Sequence, residues 1–171
     1  MSAPKRGEIH YLKRGGELVL YLSGDVTAPL AVALYEHLRP HFDAGDVDHV
    51  HIDLSRVAYM DSTTIGTMIK AHKVLQNRSG SLLLWNLSSE ARKILRTMHL
   101  LEYFHVETDE ALEKLRSGVL DRIAPSEKEF ITDEYVLSAH QDIVEAEPSL
   151  AEKFEPLITV LKQRIAERNE D

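Results

Sequence analysis

The sequence predicts an α/β domain with a mixed, mostly parallel sheet of four to five strands and about four helices, followed by an α-helical C-terminal extension. Two observations carry the prediction: short β-rich runs alternate with stretches of helical periodicity, and a composition change near residue 120 separates the extension from what precedes it.

Glu17–Leu22 is the first β-rich run. Thr27 then reads as an N-cap, with Pro29 in the first helical turn, Leu30, Leu34 and Leu38 on one face, and an end expected near Pro40. Val50, Ile52 and Leu54 alternate with His49, His51 and Asp53, the period of a strand. Leu82, Leu83, Leu84 and Trp85 form a continuous apolar run, as expected of a neighbouring strand covered on both faces. Between the two, Ile65, Met68, Ile69, His72 and Leu75 fall at helical spacing, and Arg78-Ser79-Gly80 supplies a stop, which completes a βαβ unit. Ser88 or Ser89 caps a third helix whose Ile94, Leu95 and Met98 face inward, and a short strand follows at Tyr103–Val106. The fourth helix starts at Thr108, with Asp109 and Glu110 in its first turn, Lys114 and Arg116 in its last, and Gly118 beyond, an order that complements the helix dipole.

Residues 1–119 carry a net charge of −1 and residues 120–171 a net of −7, so the acidity belongs to the extension. After Pro125, Thr132 or Asp133 can cap a helix with Tyr135, Val136, Ala139 and Ile143 on one side. Ser149 and Glu152 fit a capping box for a second helix, striped by Leu150, Phe154, Leu157, Leu161 and Ile165, which Pro156 should kink or restart. That stripe has three possible burial sites: the domain itself, a second copy in a homodimer, or a partner.

Composition excludes several functions. The 171 residues contain no cysteine, which rules out disulfides, thiolate metal sites and a cysteine nucleophile. No apolar run has signal-peptide length or the roughly 20 residues of a membrane span, so a cytoplasmic protein is expected. Lys and Arg are not clustered, which argues against nucleic acid. His37 and His41 straddle Pro40, and His49 and His51 share a strand face with only Asp53 as an added ligand, so no metal site is expected. Asp43, Asp46 and Asp48 around Gly45 lack calcium-loop spacing and read as a solvated turn. Trp85 reads as core. No acid, base and nucleophile converge, so neither a catalytic residue nor a cofactor is expected.

The run Asp53-Leu54-Ser55-Arg56-Val57-Ala58-Tyr59-Met60-Asp61-Ser62-Thr63-Thr64-Ile65-Gly66 resembles the signature of the STAS domain family, in which a strand ending in Asp-Leu leads through a turn of the form apolar-Asp-Ser-Ser/Thr-Gly-apolar-Gly into a helix. Leu22-Ser23-Gly24-Asp25 is similar to the family's early turn. Gly80 to Ser88, Ile94-Leu95 and Leu100-Leu101 are similar to its later strand, cap and helix. The resemblance spans about residues 8–117 and is of the anti-sigma factor antagonist type. It implies a domain at 1–119 with the extension at 120–171, and a partner that is both anti-sigma factor and serine/threonine kinase. It further implies phosphorylation at Thr63 with Ser62 as second choice, a cognate phosphatase, and partner contacts at Asp25, Asp61, Ser62, Thr63 and Thr64. Asp61 is expected to shape the turn, Ser62 to cap the helix and Gly66 to let the helix approach the sheet. Thr64 stands where the family usually has Gly.

Physical chemistry accommodates the switch, because a hydroxyl at a helix start lies beside unpaired N–H groups, and an added charge of about −1.5 to −2 repels an acidic or apolar partner surface. Capping alone also accounts for Asp-Ser-Thr-Thr. Two functions of different kinds follow: a phosphorylation-controlled antagonist, and a constitutive scaffold module of stressosome or transporter-associated type in which the extension makes the main contact.

Overall fold

Strand β3 (His49–Met60) is the centre of the fold, flanked by β2 (Glu17–Val26) and β4 (Ser81–Trp85), both parallel to it. The computed structural model describes residues 5–115, 118, 120–125 and 131–170. β1 (Glu8–Arg14) forms an antiparallel hairpin with β2 and also pairs with β6 (Asp121–Ile123), while β5 (His105–Glu107) runs parallel to β4. The sheet order is β5-β4-β3-β2-β1-β6.

The mixed, mostly parallel α/β architecture agrees with the sequence pattern, with two strands more than the four located there. β1 escapes because only Ile9 of its seven residues is fully buried, so its alternation is masked by charged and half-exposed neighbours. β6 is three residues long and finds its place only by pairing with β1. It falls in the stretch assigned to the extension.

Helices α1 (Ala28–Ala44), α2 (Ser62–Gln76) and α3 (Ser89–Thr97) cover one face of the sheet and enclose the main core, which includes Leu20, Ile52, Leu54, Ile65, Ile69 and Leu95. The other face carries a smaller cluster of Val19, Tyr21 and Leu112, the last from α4 (Glu110–Leu115), and the Tyr21 phenol donates to the Leu112 carbonyl at 2.7 Å. Because α4 covers only part of this face, Leu83 and Trp85 stay half-buried, and β4 is fully covered on one side only. Trp85 donates its indole N–H to His51 Nδ1 at 3.0 Å. Arg116, expected in the last turn of α4, lies outside the described residues.

Local signals set the element ends. Ser88 accepts from the Ala91 N–H and donates to the Val57 carbonyl, so it caps α3 and ties it to β3. α1 does not stop at Pro40: it continues to Ala44 and ends at Gly45, whose φ of 66° closes the helix. A proline removes one donor without stopping the chain when its ring faces solvent, and Pro40 is exposed in the last turns. Thr27 occupies the N-cap position without a side-chain capping bond. Asp43 is helical and Asp46 bonds His41 Nδ1 at 2.9 Å.

The extension folds back on the domain. α5 (Asp133–Ala146) lies on α2, and a 3-10 turn at Pro148–Leu150 leads into α6 (Ala151–Glu170). Thr132 caps α5 by accepting from the Tyr135 N–H. The capping box expected at Ser149 is absent: Glu147 caps the 3-10 turn by accepting from Ser149 N. α6 runs unbroken through Pro156, which sits early in the helix. Leu150, Phe154 and Leu161 are buried with Ile158 packed behind them, whereas Leu157, expected in that stripe, is 38% exposed. Leu150 and Phe154 of the stripe are therefore satisfied within the chain, where they join the main core together with Ile143 of α5.

Replacing Pro40 with Ala restores a helical donor at an exposed site and is expected to stabilise the fold by about 1 kcal/mol or more, raising the thermal midpoint by a few degrees. Calorimetry of the P40A variant checks this, and an unchanged midpoint would show that α1 does not depend on its last turns.

Candidate functional site

Strands β2 and β3 end together, pairing Asp25 with Tyr59 and Val26 with Met60, and both chains turn there into helices. The two turns share one residue. Asp61 is the N-cap of α2: its Oδ1 accepts from the Thr64 N–H at 2.8 Å, and its Oδ2 accepts from the Ala28 N–H at the start of α1, also at 2.8 Å. The N-cap is thus Asp61, whose carboxylate reaches two helix starts at once, and not Ser62. Thr64 is fully buried, and its hydroxyl lies 2.9 Å from the Val26 carbonyl and 2.8 Å from Asp61 Oδ1. The side chain that replaces the usual Gly is therefore turned into the end of β2.

Ser62 begins α2 with its hydroxyl directed sideways to His140 Nε2 on α5, 2.8 Å away. His140 Nδ1 lies 2.7 Å from the Val136 carbonyl, which can only accept, so Nδ1 carries the proton and Nε2 accepts from Ser62. Burial pushes the His140 pKa down, outweighing the opposing effects of the Val136 carbonyl and the Asp61 charge, and the ring is only 1% exposed. Thr63 is 5% exposed. It shares a helix face with Gly66, Thr67 and Lys70 at positions i+3, i+4 and i+7, and α5 lies along that face.

The contact is close and polar. A Cβ on Gly66 would lie 2.8 Å from the Ala139 Cβ and nearer still to its carbonyl oxygen. Gly66 therefore permits an approach of helix to helix, not of helix to sheet as the sequence suggests. Thr67 donates to the Thr63 carbonyl at 2.9 Å, leaving the Tyr135 phenol, 2.6 Å away, to donate to it, and burial raises the Tyr135 pKa. Lys70 bonds Ser138 and pairs with Asp142 at 2.7 Å; Lys73 pairs with Asp142 at 2.9 Å and with Glu145 at 2.7 Å. The hydrogen bonds to Glu145 and then to Asp142 raise the Lys73 pKa to about 12.

Beside this contact opens a cleft of about 500 Å³ bordered by Tyr59, Ser62, Ile65, Lys93, Met98 and Phe154. Tyr59 is 49% exposed at its mouth. Among the described residues no three His, Asp or Glu side chains converge to hold a metal ion, and no helix is long and apolar enough to cross a membrane.

Of the residues singled out in the sequence, Asp25, Asp61, Ser62, Thr63 and Thr64 are thus gathered at one end of the sheet. Asp25 is half-buried, with its backbone N–H donating to Lys5. Sequence reasoning missed Lys70, Lys73, Tyr135, His140 and Asp142. Their helices were visible in the hydrophobic spacing, but nothing in that spacing says which two faces meet.

Comparison with known proteins bears on the family and the fold. The STAS domain model matches residues 8–113. An anti-sigma-B factor antagonist of Staphylococcus epidermidis is 30% identical over 106 residues, covering 62% of this chain and 90% of that protein. The solved structure of the anti-sigma factor antagonist SpoIIAA in its unphosphorylated form superimposes with a TM-score of 0.54 at 20% identity, over 66% of this chain and 98% of that one. The phosphorylated form of the Bacillus cell fate determinant SpoIIAA gives 0.51 at 20% identity, over 64% and 99%.

Removing the Asp61 carboxylate leaves helix-start N–H groups of α1 and α2 without their acceptor. Asp61→Ala is expected to cost about 1–2 kcal/mol in urea denaturation, and Asp61→Asn less, because it keeps one acceptor. Equal stability of both variants and the parent would show that the shared cap does not matter. His140 has a folded pKa below its unfolded value, so its contribution is intact above about pH 6.5 and is lost as the pH falls below that. His37 and His72, also lowered by burial, act in the same direction. Urea midpoints measured at about pH 7.5 and about pH 5.5 should therefore differ less for His140→Gln than for the parent.

Proposed function

The chain belongs to the STAS domain family, and we propose that it acts as an anti-sigma factor antagonist in a partner-switching pathway. It would bind an anti-sigma factor that is also a serine/threonine kinase, through the end of the sheet where Asp25, Asp61, Ser62 and Thr63 gather; Thr64, expected as a further contact, is fully buried and holds the turn instead. It is a cytoplasmic binding protein in this reading, not an enzyme, and uses no cofactor. The observation that carries the reading is the pair of hydroxyl residues at the start of α2, gathered with Asp25 at one end of the sheet, in a chain similar to named antagonists. A SpoIIAA structure described as phosphorylated supports a covalent switch in proteins of this fold.

The chemistry suits a switch. A phosphate on Thr63 would place about two negative charges beside the N-terminal dipole of α2 and the Asp61 carboxylate. The dipole would hold the phosphate, while the added charge would repel an acidic partner surface, releasing the anti-sigma factor without refolding the sheet. A cognate phosphatase would reset the system.

The burial of Thr63 favours a second reading. At 5% exposure its hydroxyl is out of reach of a kinase unless the covering helix moves, and Thr64 replaces the flexible Gly. A constitutive scaffold that binds through the same end of the sheet needs no such movement.

Peptide mapping of the protein from its native cells, beside Thr63→Ala and Ser62→Ala variants, separates the two. A phosphate on Thr63 that disappears in T63A, together with capture of a kinase-type anti-sigma factor by the unphosphorylated form only, is the result expected. Unmodified Thr63 and Ser62 under growth and stress, with partner binding unchanged by Thr63→Glu, would favour the scaffold.

A further inference from the structure

The surface of α2 that faces α5 is built for a helix, and its features specify which one. Gly66 removes every side-chain atom at the crossing point and leaves room for a small residue only, which Ala139 supplies. One turn toward the N-terminus of α5, Tyr135 stands over Thr67, with its ring 6.1 Å from that of Tyr35. Toward its C-terminus, Asp142 and Glu145 meet Lys70 and Lys73. The spacing Tyr135, Ala139, Asp142, Glu145 is therefore a pattern of aromatic hydroxyl, small residue four later, carboxylate three later and carboxylate three later again.

Charge makes this pattern selective. The side chains of Lys70 and Asp142 are only 16% and 12% exposed, and separating a pair so far removed from water is costly unless a new counter-charge takes its place. The segment 131–147 contains five carboxylates and no Lys or Arg, so it is the acidic part of the chain that lies on this basic stripe. The face it covers also carries Thr63, two helical turns from Lys70.

We infer that this α2 face is a helix-docking surface for which α5 competes with an outside partner, and that the partner presents an acidic helix with the same aromatic, small, acidic, acidic pattern. This rests on the binding surface proposed above and adds to it the chemistry of the partner and the in-chain occupant that must leave first. When α5 is seated, the docking face is occupied and Thr63 is covered. When a partner helix takes its place, the lysines keep their carboxylates and α5 leaves, drawing Ile143 out of the main core. The apparent affinity for the partner is then reduced by the fraction of molecules in which α5 is seated.

The test uses the full chain and a dye-labelled synthetic peptide of residues 131–147, read by fluorescence anisotropy, with hydrogen exchange of α5 amides as a second readout. The D142K/E145K variant places like charges against Lys70 and Lys73. Its α5 amides should lose protection while those of β2 and β3 keep theirs, and it should bind the peptide at least about tenfold more tightly than the parent chain does. Adding K70E/K73E to the same chain restores opposite charges in cis, so α5 protection should return and peptide binding should be lost. The milder D142N/E145Q variant, which leaves no repulsion to threaten folding, should show the same order at smaller amplitude.

Peptide binding no tighter in D142K/E145K than in the parent, with α5 released, would overturn the inference, because the bared face would then not be a docking surface. Retained α5 protection in that variant would overturn it equally, since charge would not be what seats the helix. The peptide is the chain's own, so failure to find an anti-sigma factor would leave this result standing, and failure here would leave capture of an anti-sigma factor unaffected.

Discussion

Much of the structure hangs on the carboxylate of Asp61. Parallel strands β2 and β3 end side by side, and each must turn into a helix whose first N–H groups have no partner in their own helix. A carboxylate has two oxygens and enough lone pairs to serve both helices, so one side chain ties Ala28 at the start of α1 to Thr64 in the first turn of α2. The same tie fixes the depth at which α2 enters the core, because Thr64 is drawn onto the Val26 carbonyl. Everything on the outer face of α2 inherits its position from this anchor.

That outer face is where the chain departs from an isolated domain of its family. α2 buries Ile65, Met68 and Ile69 against the sheet, as any helix of a βαβ unit does, yet it also carries a second interface on its other side. Gly66 is central to that arrangement. In a solvent-exposed helix a glycine would only weaken the backbone by about 1 kcal/mol relative to alanine, but here the absent Cβ lets Ala139 close to backbone contact. Such closeness brings His140 to Ser62 and Asp142 to Lys70. The polar contacts give the packing a definite register, since sliding α5 by one residue would leave buried charges and a buried hydroxyl without partners.

The functional consequence is a tension between the hydroxyl that the family signature points to and the helix that covers it. A switch residue must be reachable, and a surface meant for a partner must be vacant at least part of the time. On the proposed reading the extension would make both conditional, so that binding, modification and displacement of α5 would become linked equilibria. A domain with the same signature and no extension would lack that linkage.

The strand and helix spacing, the turn from Asp53 to Gly66 and the acidic bias of the last fifty or so residues are all properties of neighbouring positions, and from them the α/β class, the placement of β3 and α2, and the grouping of Asp61, Ser62, Thr63 and Thr64 at a helix start can be read. Which side chain caps α2 could not be read, because Asp61 and Ser62 are equally good N-caps until the Ala28 N–H supplies a second claim on the carboxylate. β1 and β6 stayed hidden because short, half-exposed strands owe their existence to the edge they pair with. What the folded chain adds is that Leu150, Phe154 and Leu161 are buried within it, that Gly66 faces Ala139, and that Thr63 lies covered. Periodicity says that a helix has an apolar face and where that face lies, but the choice of what it packs against is settled by surfaces distant in sequence, matched in shape and charge only once the chain has folded.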